Sequence, residues 1–186
     1  MKRLFDITLA IILIIFFFPI LLIIFFLILS VNRFSPIYYS KRVGKMNKIF
    51  MMPKFRTMHV NTPQVATDKL KNANIYITTL GKFLRISSLD ELPQIFSVLF
   101  GRMTFVGPRP ALYNQKTLIK LRTKKKIHLL LPGITGLAQV KGRDYITVKK
   151  KVYYDQLYKK KNNLVFDLKI LFSTVNILIK KKFIKH

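Results

Sequence analysis

One uninterrupted apolar run near the start of the chain limits how the chain can fold. Every residue from Leu9 to Leu29 is apolar, and no residue from Ile7 to Asn32 carries a charge. As a helix rising about 1.5 Å per residue, this run matches the roughly 30 Å hydrocarbon core of a bilayer. The run is too long for the apolar core of a cleaved signal peptide, and no small-x-small cleavage site follows it. The sequence therefore predicts a membrane-embedded helix.

Pro19 lies at the midpoint of this run and argues against a simple span. A proline inside a helix removes a hydrogen bond and bends the axis. Basic residues flank both ends of the run, so the positive-inside rule assigns no direction to it. We therefore expect residues 1–33 to form a re-entrant helix that is broken at Pro19, and residues 34–186 to form a domain on the side from which the helix enters. The alternative is a kinked helix that crosses the membrane once.

The net charge of the chain limits the classes of molecule that it is expected to bind. Lys and Arg number 34 against seven acidic residues, for a net charge of +27, and the chain contains no cysteine. Disulfides, thiolate catalysis and cysteine zinc sites are therefore excluded. Nucleic acid, an anionic membrane surface and phosphorylated substrates would each suit such a charge.

Two adjacent carboxylates stand out against this basic background. Asp90 and Glu91, the only glutamate of the chain, lie in the segment Ser87–Gln94. One interpretation is a capping box, in which Ser88 caps a helix and Glu91 reaches back to it. However, Pro93 would fall beyond the first turn of that helix and would bend or delay it. Both carboxylates would then lie at a break, where they could hold a divalent cation, or one could attack an electrophile while the other holds the metal.

Cationic residues on either side of the acidic pair are candidates for phosphate binding. Arg109 lies between two prolines, which stiffen its loop and favour bidentate binding of phosphate, although a plain turn is the alternative. Arg85 lies five residues before Asp90. Lys54 follows a predicted strand and could bind phosphate or remain a solvated surface charge.

The remaining pattern predicts a mainly α-helical protein with a small β-hairpin. Residues 34–52 contain two β-rich runs around a short turn, and Pro53 is expected to end the second strand. Amphipathic helices are predicted at Ala111–Lys126 and Thr147–Ile184, on either side of a turn cluster at 131–136. The last helix could pack on the domain or lie in the bilayer interface.

Four short motifs together resemble a known family. They are, in chain order, Lys54–Met58 (KFRTM), Leu89–Gln94 (LDELPQ), Val106–Pro110 (VGPRP) and Pro132–Leu137 (PGITGL). Each motif alone is a weak signal, but in this order and spacing they are similar to those of the bacterial sugar transferase family, the monotopic phosphoglycosyl transferases. The resemblance runs from Lys2 to about Leu171 and is to the small form, with only a membrane helix and a catalytic domain. Phe18 departs from the family pattern, which commonly has serine before the proline of the membrane helix.

The resemblance implies a reaction and a role for several residues. Members of this family transfer a sugar 1-phosphate from a UDP-sugar to a polyprenyl phosphate such as undecaprenyl phosphate, with release of UMP, as the first membrane step of glycan or glycoconjugate assembly. By this resemblance Asp90 would be the nucleophile that forms a covalent phosphosugar-aspartyl intermediate, and Glu91 with Asp90 would hold Mg²⁺. The residues that match the family's phosphate-binding or other functional positions are Lys54, Arg85, Arg109, Arg143 and Asp167.

The resemblance also implies partners and a location. It places the catalytic domain on the cytoplasmic face of the bacterial inner membrane, in contact with membrane lipids and with downstream glycosyltransferases, and it implies no nucleic-acid partner. The short form of the chain favours an N-acetylated or diacetamido deoxyhexose as the sugar, although a hexose is also open. The alternative is a non-catalytic basic membrane-associated protein that binds anionic lipid or nucleic acid. That alternative leaves Asp90 and Glu91 unexplained, and the chain lacks the interleaved aromatics expected for strand binding.

Overall fold

The computed structural model describes residues 1–32, 35–63, 73–142 and 145–180. The helices in these ranges are α1 Lys2–Asn32, α2 Ala73–Tyr76, α3 Thr79–Ile86, α4 Gln94–Leu99, α5 Lys116–Lys124, α6 Leu137–Val140, α7 Val148–Lys160 and α8 Leu164–Ile179. The strands are β1 Ile37–Val43, β2 Ile49–Phe55, β3 Thr104–Val106, β4 Ala111–Leu112 and β5 Gly133–Thr135. The expected mainly helical protein with little sheet is confirmed.

Helix α1 contains the apolar run and is long and apolar enough to cross a membrane. Its helical backbone continues through Pro19, so the predicted break is not an interruption of the helix. The first turn is tied to the rest of the chain by side chains. Arg3 donates hydrogen bonds to the carbonyls of Val98 and Leu99, at the end of α4, and Asp6 accepts hydrogen bonds from residues of β3.

Both halves of α1 pack against the same domain. Ala10, in the first half, is fully buried in a core cluster that includes residues of α4 and β3. Ile28, in the second half, is fully buried in another cluster that includes Phe55 of β2 and Leu84 of α3. The opposite face of α1 remains exposed, with Phe16 70% exposed beside Pro19. The apolar run is therefore held along its length by one face only.

The predicted hairpin is present, but it is longer and belongs to a three-stranded sheet of order β2-β1-β4. The expectation that Pro53 ends the second strand is wrong, because Pro53 pairs with Tyr39 and β2 continues to Phe55. Since β2 is an edge strand, one side of its backbone needs no sheet partner, and a residue without an N–H is tolerated there. The continuation matters because it places Lys54 inside the sheet.

Elements that depend on distant partners differ from the predicted ones. Ala111 and Leu112 are not helical, because they pair with β1 as strand β4. The predicted turn cluster contains β5, which runs parallel to β3. A Cβ on Gly133 would lie 2.1 Å from the backbone nitrogen of Gly107, so only glycine allows this approach. The predicted helix from Thr147 is two helices, because Asn163 caps the start of α8 through a hydrogen bond from the Phe166 amide.

Candidate active site

The acidic pair lies in a 3₁₀ turn between α3 and α4. Ser88 has a left-handed backbone, with a φ of 57°, and its side chain caps neither this turn nor α4. The turn spans Leu89–Glu91, and α4 begins only at Gln94, after Pro93. The capping-box interpretation is therefore wrong, and the late-starting helix is the arrangement observed. Asp90 is 9% exposed.

Two cations from distant parts of the chain converge on Glu91. Lys54 donates from Nζ to Glu91 Oε1 at 2.7 Å, and Arg109 donates from Nη2 to the same oxygen at 2.9 Å. Lys54 Nζ also lies 3.8 Å from Asp90 Oδ2. The side chains of Lys54, Asp90 and Glu91 are each at most 15% exposed, so their charges interact with little screening by solvent.

Arg85 is held beside Asp90 by the packing of α3. Its Nε donates a hydrogen bond to the buried hydroxyl of Thr57 at 2.9 Å. Helix α3 approaches Thr57 closely because Gly81 has no side chain, and a Cβ at Gly81 would lie 2.1 Å from the Thr57 carbonyl oxygen. Burial lowers the pKa of Arg85, whereas the charge of Asp90 opposes that shift.

Burial raises the pKa of Asp90 above its usual range. Lys54 is the strongest of the neighbours that oppose this rise, and Arg85 and Arg109 oppose it further, whereas the negative charge of Glu91 adds to it. The ionised form of Asp90 therefore depends on the cations around it. Such a carboxylate is a candidate catalytic residue, because buried groups with strongly perturbed pKa values cluster at functional sites.

Two further arginines hold the loop that carries Arg109. Arg122 of α5 donates from Nη1 to the Arg109 carbonyl at 2.7 Å, and Arg42 of β1 donates from Nη1 to the Pro110 carbonyl at 3.2 Å. Arg122 is itself paired with Asp155 of α7, from Nη2 at 2.7 Å and Nε at 2.9 Å. The loop is therefore positioned by charged donors as well as by its prolines.

Burial shifts the pKa values of both Arg42 and Asp155. Burial, and then the charge of Arg109, lower the pKa of Arg42 to about 10, so Arg42 remains a cation at neutral pH. Burial raises the pKa of Asp155, and Arg122 opposes that rise. Arg42, Arg122 and Thr57 were not identified as site residues from the sequence. Their roles depend on strand pairing and helix packing. Thr57 lies within the Lys54–Met58 motif, but nothing in that motif indicated its bond to Arg85.

The other predicted site residues lie elsewhere or outside the described part of the chain. Asp167 is buried and pairs with Lys2 and with the hydroxyl of Tyr158, which also donates to the Val106 carbonyl. Burial and the bond to Asp167 raise the pKa of Tyr158. This cluster ties the first turn of α1 to α7, α8 and β3, and none of these hydrogen bonds reaches Asp90. Arg143 lies outside the described residues.

A mostly apolar cavity of about 230 Å³ opens beside the acidic pair. Its lining includes Leu13 and Phe17 of α1 and Ile177 and Leu178 of α8, together with residues of α4, β3, β5 and α6. Ser88 and Glu91 are also among the lining residues. The acidic pair is thus next to both a cationic surface and an apolar one.

The donor set is compatible with magnesium. Among the described residues, no group of three or more Asp, Glu or His side chains could hold a metal ion. Mg²⁺, however, is commonly held by one or two carboxylates together with substrate phosphates. Asp90 and Glu91 supply two hard oxygen donors of that kind, and the nearby cations suit the phosphates that would complete the coordination.

Comparisons with known proteins show similarity over almost the whole chain. A family model described as bacterial sugar transferase matches residues 1–181. The UDP-glucose:undecaprenyl-phosphate glucose-1-phosphate transferase of Klebsiella pneumoniae is 38% identical, over 94% of this chain and 39% of that protein. The undecaprenyl-phosphate galactose phosphotransferase of Salmonella typhimurium is 34% identical, over 97% of this chain and 41% of that protein. An uncharacterized sugar transferase of Bacillus subtilis is 36% identical, over 94% of this chain and 85% of that protein. The chain therefore spans about two fifths of the first two relatives and most of the third.

Proposed function

The chain belongs to the bacterial sugar transferase family, and we propose that it transfers a sugar 1-phosphate from a UDP-sugar to a polyprenyl phosphate, with release of UMP. The observation that carries this proposal is the buried pair Asp90 and Glu91, surrounded by Lys54, Arg85 and Arg109. A carboxylate must approach a doubly negative diphosphate in this reaction. Fixed cations reduce the repulsion between them and stabilise the charge that develops as the leaving group departs.

In the first step, an oxygen of ionised Asp90 attacks the sugar-side phosphorus. The bond between this phosphorus and the bridging oxygen breaks, the electron pair goes to that oxygen, and UMP leaves. The product is an acyl phosphate, a mixed anhydride between the Asp90 carboxyl group and the sugar phosphate. Lys54, Arg85 and Arg109 favour the ionised state of Asp90, and Arg109 would bind the phosphates of the substrate.

In the second step, a phosphate oxygen of the polyprenyl phosphate attacks the same phosphorus. The bond to Asp90 breaks, the carboxylate is restored, and a polyprenyl diphosphosugar is released. Glu91, with Asp90, would hold Mg²⁺, which neutralises negative charge on the phosphates when it is bound. Downstream glycosyltransferases would use this product in the assembly of a glycan.

The packing of α1 supports the proposed attachment to a membrane. As a straight helix its 31 residues would be about 46 Å long, and a perpendicular span would place its two halves at opposite faces of the bilayer. The burial of Ala10 and of Ile28 against one domain supports instead a re-entrant helix that bends near Pro19. Apolar residues also face outward on α8, where Phe172 is 77% exposed. We propose that both surfaces contact lipid at the cytoplasmic face of the bacterial inner membrane.

The topology is testable because the chain has no native cysteine. Single cysteines at Leu4 and at Val31, which are 70% and 66% exposed, should react with a membrane-impermeant maleimide from the same side of sealed vesicles. Labelling of the two positions from opposite sides would contradict the re-entrant helix and support a single-pass one.

The reaction is tested with purified protein, Mg²⁺, polyprenyl phosphate and a panel that contains UDP-glucose, UDP-galactose and UDP-N-acetylated sugars. One of these sugars should give UMP and a polyprenyl diphosphosugar, and chelation of Mg²⁺ should stop turnover reversibly. Without acceptor, the intact mass of the protein should rise by one sugar phosphate, and Asp90→Asn should abolish both signals. Full turnover by Asp90→Asn would exclude Asp90 as the nucleophile, and binding of anionic lipid without any UMP release would support the non-catalytic alternative.

A further inference from the structure

Six lysines from two distant segments lie side by side, residues 124–126 at the end of α5 and residues 159–161 at the end of α7. Lys159 donates a hydrogen bond from Nζ to the Lys125 carbonyl at 3.3 Å, which joins the two segments. Five of the six lysines are exposed, and Lys159 is half-buried. None of the six belongs to an ion pair of the described chain. This lysine cluster is therefore a concentrated cationic surface outside the active site.

The acidic side chains of the described residues do not neutralise this cluster. All of them are buried or largely buried, and their partners are residues of the active site, of β3, of α1 or of α5. They are Asp6, Asp90, Glu91, Asp155 and Asp167. Like charges that lie this close repel one another, and an anion bound between them relieves that repulsion. The lysine cluster is therefore suited to an anionic ligand.

The cluster lies close to the point where α1 begins. Tyr158 directly precedes residues 159–161, and its hydroxyl accepts a hydrogen bond from Lys2 Nζ at 2.7 Å. Lys2 also pairs with Asp167 of α8. If α1 is embedded in a membrane as proposed, its first turn lies at the level of the lipid headgroups, whether the helix re-enters or crosses once. The lysine cluster then lies near the headgroups in either topology.

We propose that the lysine cluster binds the phosphate groups of anionic phospholipids, an inference that rests on the proposed membrane attachment of α1 but not on the sugar-transfer reaction. A lysine near an anionic bilayer surface contributes about 1 kcal/mol to binding. Helix α8 begins at Leu164, three residues after Lys161, and carries exposed apolar residues that include Val165 and Phe172. Cations beside an apolar helix face are typical of helices that lie in the bilayer interface. The cluster would therefore select anionic lipid and hold α8 against the bilayer.

This surface fits a lipid better than a nucleic acid. Sites for single strands combine cations with exposed aromatic side chains on which bases stack. The residues that follow the cluster into α8 are the aliphatic Leu164 and Val165, and Tyr158 is buried and bonded to Asp167. A bilayer supplies both the phosphate anions for the lysines and the hydrocarbon for the exposed aliphatic residues.

Native mass spectrometry of the full chain released from nanodiscs tests this site without requiring turnover. The nanodiscs contain equal amounts of phosphatidylglycerol and phosphatidylcholine with identical acyl chains, so that only the headgroup differs. Wild-type protein should retain phosphatidylglycerol in preference to phosphatidylcholine, and added salt should reduce this preference, because salt screens exposed charges. A variant in which four lysines of the cluster are replaced by glutamine should reduce the preference at least about tenfold, at about 1 kcal/mol for each lysine. Its substitutions are Lys125→Gln, Lys126→Gln, Lys160→Gln and Lys161→Gln.

A second four-lysine variant supplies the matched control. It removes the same charge from exposed positions nearer the other ends of α5 and α7, and it should keep most of the wild-type preference for phosphatidylglycerol. Its substitutions are Lys116→Gln, Lys120→Gln, Lys149→Gln and Lys150→Gln. Both variants should fold, because substitutions at exposed positions change stability little, and their Tm in detergent checks this. Equal losses in the two variants would show a diffuse effect of net charge and refute the site.

The outcomes separate this inference from the proposed function. If phosphatidylglycerol is retained through the cluster but no UDP-sugar yields UMP, the lipid site stands and the proposed reaction fails. If UMP is released and wild-type protein retains the two lipids equally, the reaction stands and the site is wrong. Duplex DNA that binds the protein in phosphatidylcholine nanodiscs and is lost in the cluster variant, while that variant keeps its phosphatidylglycerol, would assign the surface to nucleic acid and overturn the proposal.

Discussion

Replacement of Arg122 by methionine should separate the stability of the fold from the positioning of Arg109. Arg122 and Asp155 form an ion pair at 2.7 Å, and their side chains are only 11% and 3% exposed. Loss of the arginine leaves a buried carboxylate whose pKa is already raised by burial. Removal of one partner from a buried pair typically costs about 3–5 kcal/mol. Because Lys151 also favours the ionised form of Asp155, we expect a value near the lower end, about 3 kcal/mol.

This loss corresponds to a fall in Tm of about 6–12 °C, at about 2–4 °C per kcal/mol for a chain of this size. Far-UV circular dichroism at a fixed scan rate in detergent measures it, since the chain contains no tryptophan for fluorescence. Lys124→Met is the matched control, because it removes the same charge from an exposed position of α5. Its Tm should remain within about 1 °C of wild type, as surface substitutions change stability little.

The double variant Arg122→Met/Asp155→Leu tests whether Arg122 positions the loop that carries Arg109. Replacement of both partners by apolar residues should restore most of the Tm, because no charge remains buried. The Arg109 carbonyl still lacks the donor that lies 2.7 Å away in the native protein. A hydrogen bond from a charged group contributes about 1.5–3 kcal/mol, so UMP release at low UDP-sugar concentration should remain at least about tenfold below wild type. A wild-type Tm for Arg122→Met alone would refute the ion-pair argument. Full activity of the double variant would refute the role of Arg122 in positioning Arg109.

Two other substitutions test the site directly. Asp90→Asn should abolish UMP release yet raise Tm, because burial raises the pKa of Asp90 in the folded protein. The stability linked to the protonated form is present below the ordinary pKa of an aspartate and is lost as the pH rises through the raised pKa. The Tm difference from wild type should therefore widen as the pH rises across the range above the ordinary pKa of an aspartate. An unchanged difference across this range would contradict the pKa argument. Gly81→Ala should lower both Tm and UMP release, because its Cβ would lie 2.1 Å from the Thr57 carbonyl oxygen and would displace Arg85 together with α3. Gly44→Ala is the milder control, because its Cβ would meet the flexible side chain of Phe50 at 3.0 Å. Equal effects of the two substitutions would exclude the proposed displacement of Arg85.

Local sequence predicted the features that depend on neighbouring residues. The charge-free run gives α1, because its composition and length leave few alternatives for an apolar segment. Pro93 delays the start of α4 to Gln94, so that Asp90 and Glu91 lie in a separate turn. In each case the cause lies within a few positions of the effect. The two prolines around Arg109 also predicted a stiff loop there.

Strand pairing decided features that no local pattern could show. Pro53 was expected to end a strand, yet it lies within β2 because β2 is at the edge of the sheet. Ala111 was assigned to a helix, yet it pairs with Val43. Both differences arise because a strand is stabilised by hydrogen bonds to a partner far away in the chain, and that partner is absent from the local pattern.

In the active site, too, local sequence determined some features and tertiary contacts determined the others. The sequence alone determined which charged residues the chain possesses and that an isolated acidic pair lies at a late-starting helix. Only the tertiary structure brought Lys54 and Arg109 onto one oxygen of Glu91 and placed Arg122 against the Arg109 carbonyl. These contacts join residues separated by 13 to 37 positions, and they form because sheet pairing and helix packing bring distant segments together. Burial in that packed site, which depends on the whole fold, is also what raises the pKa of Asp90.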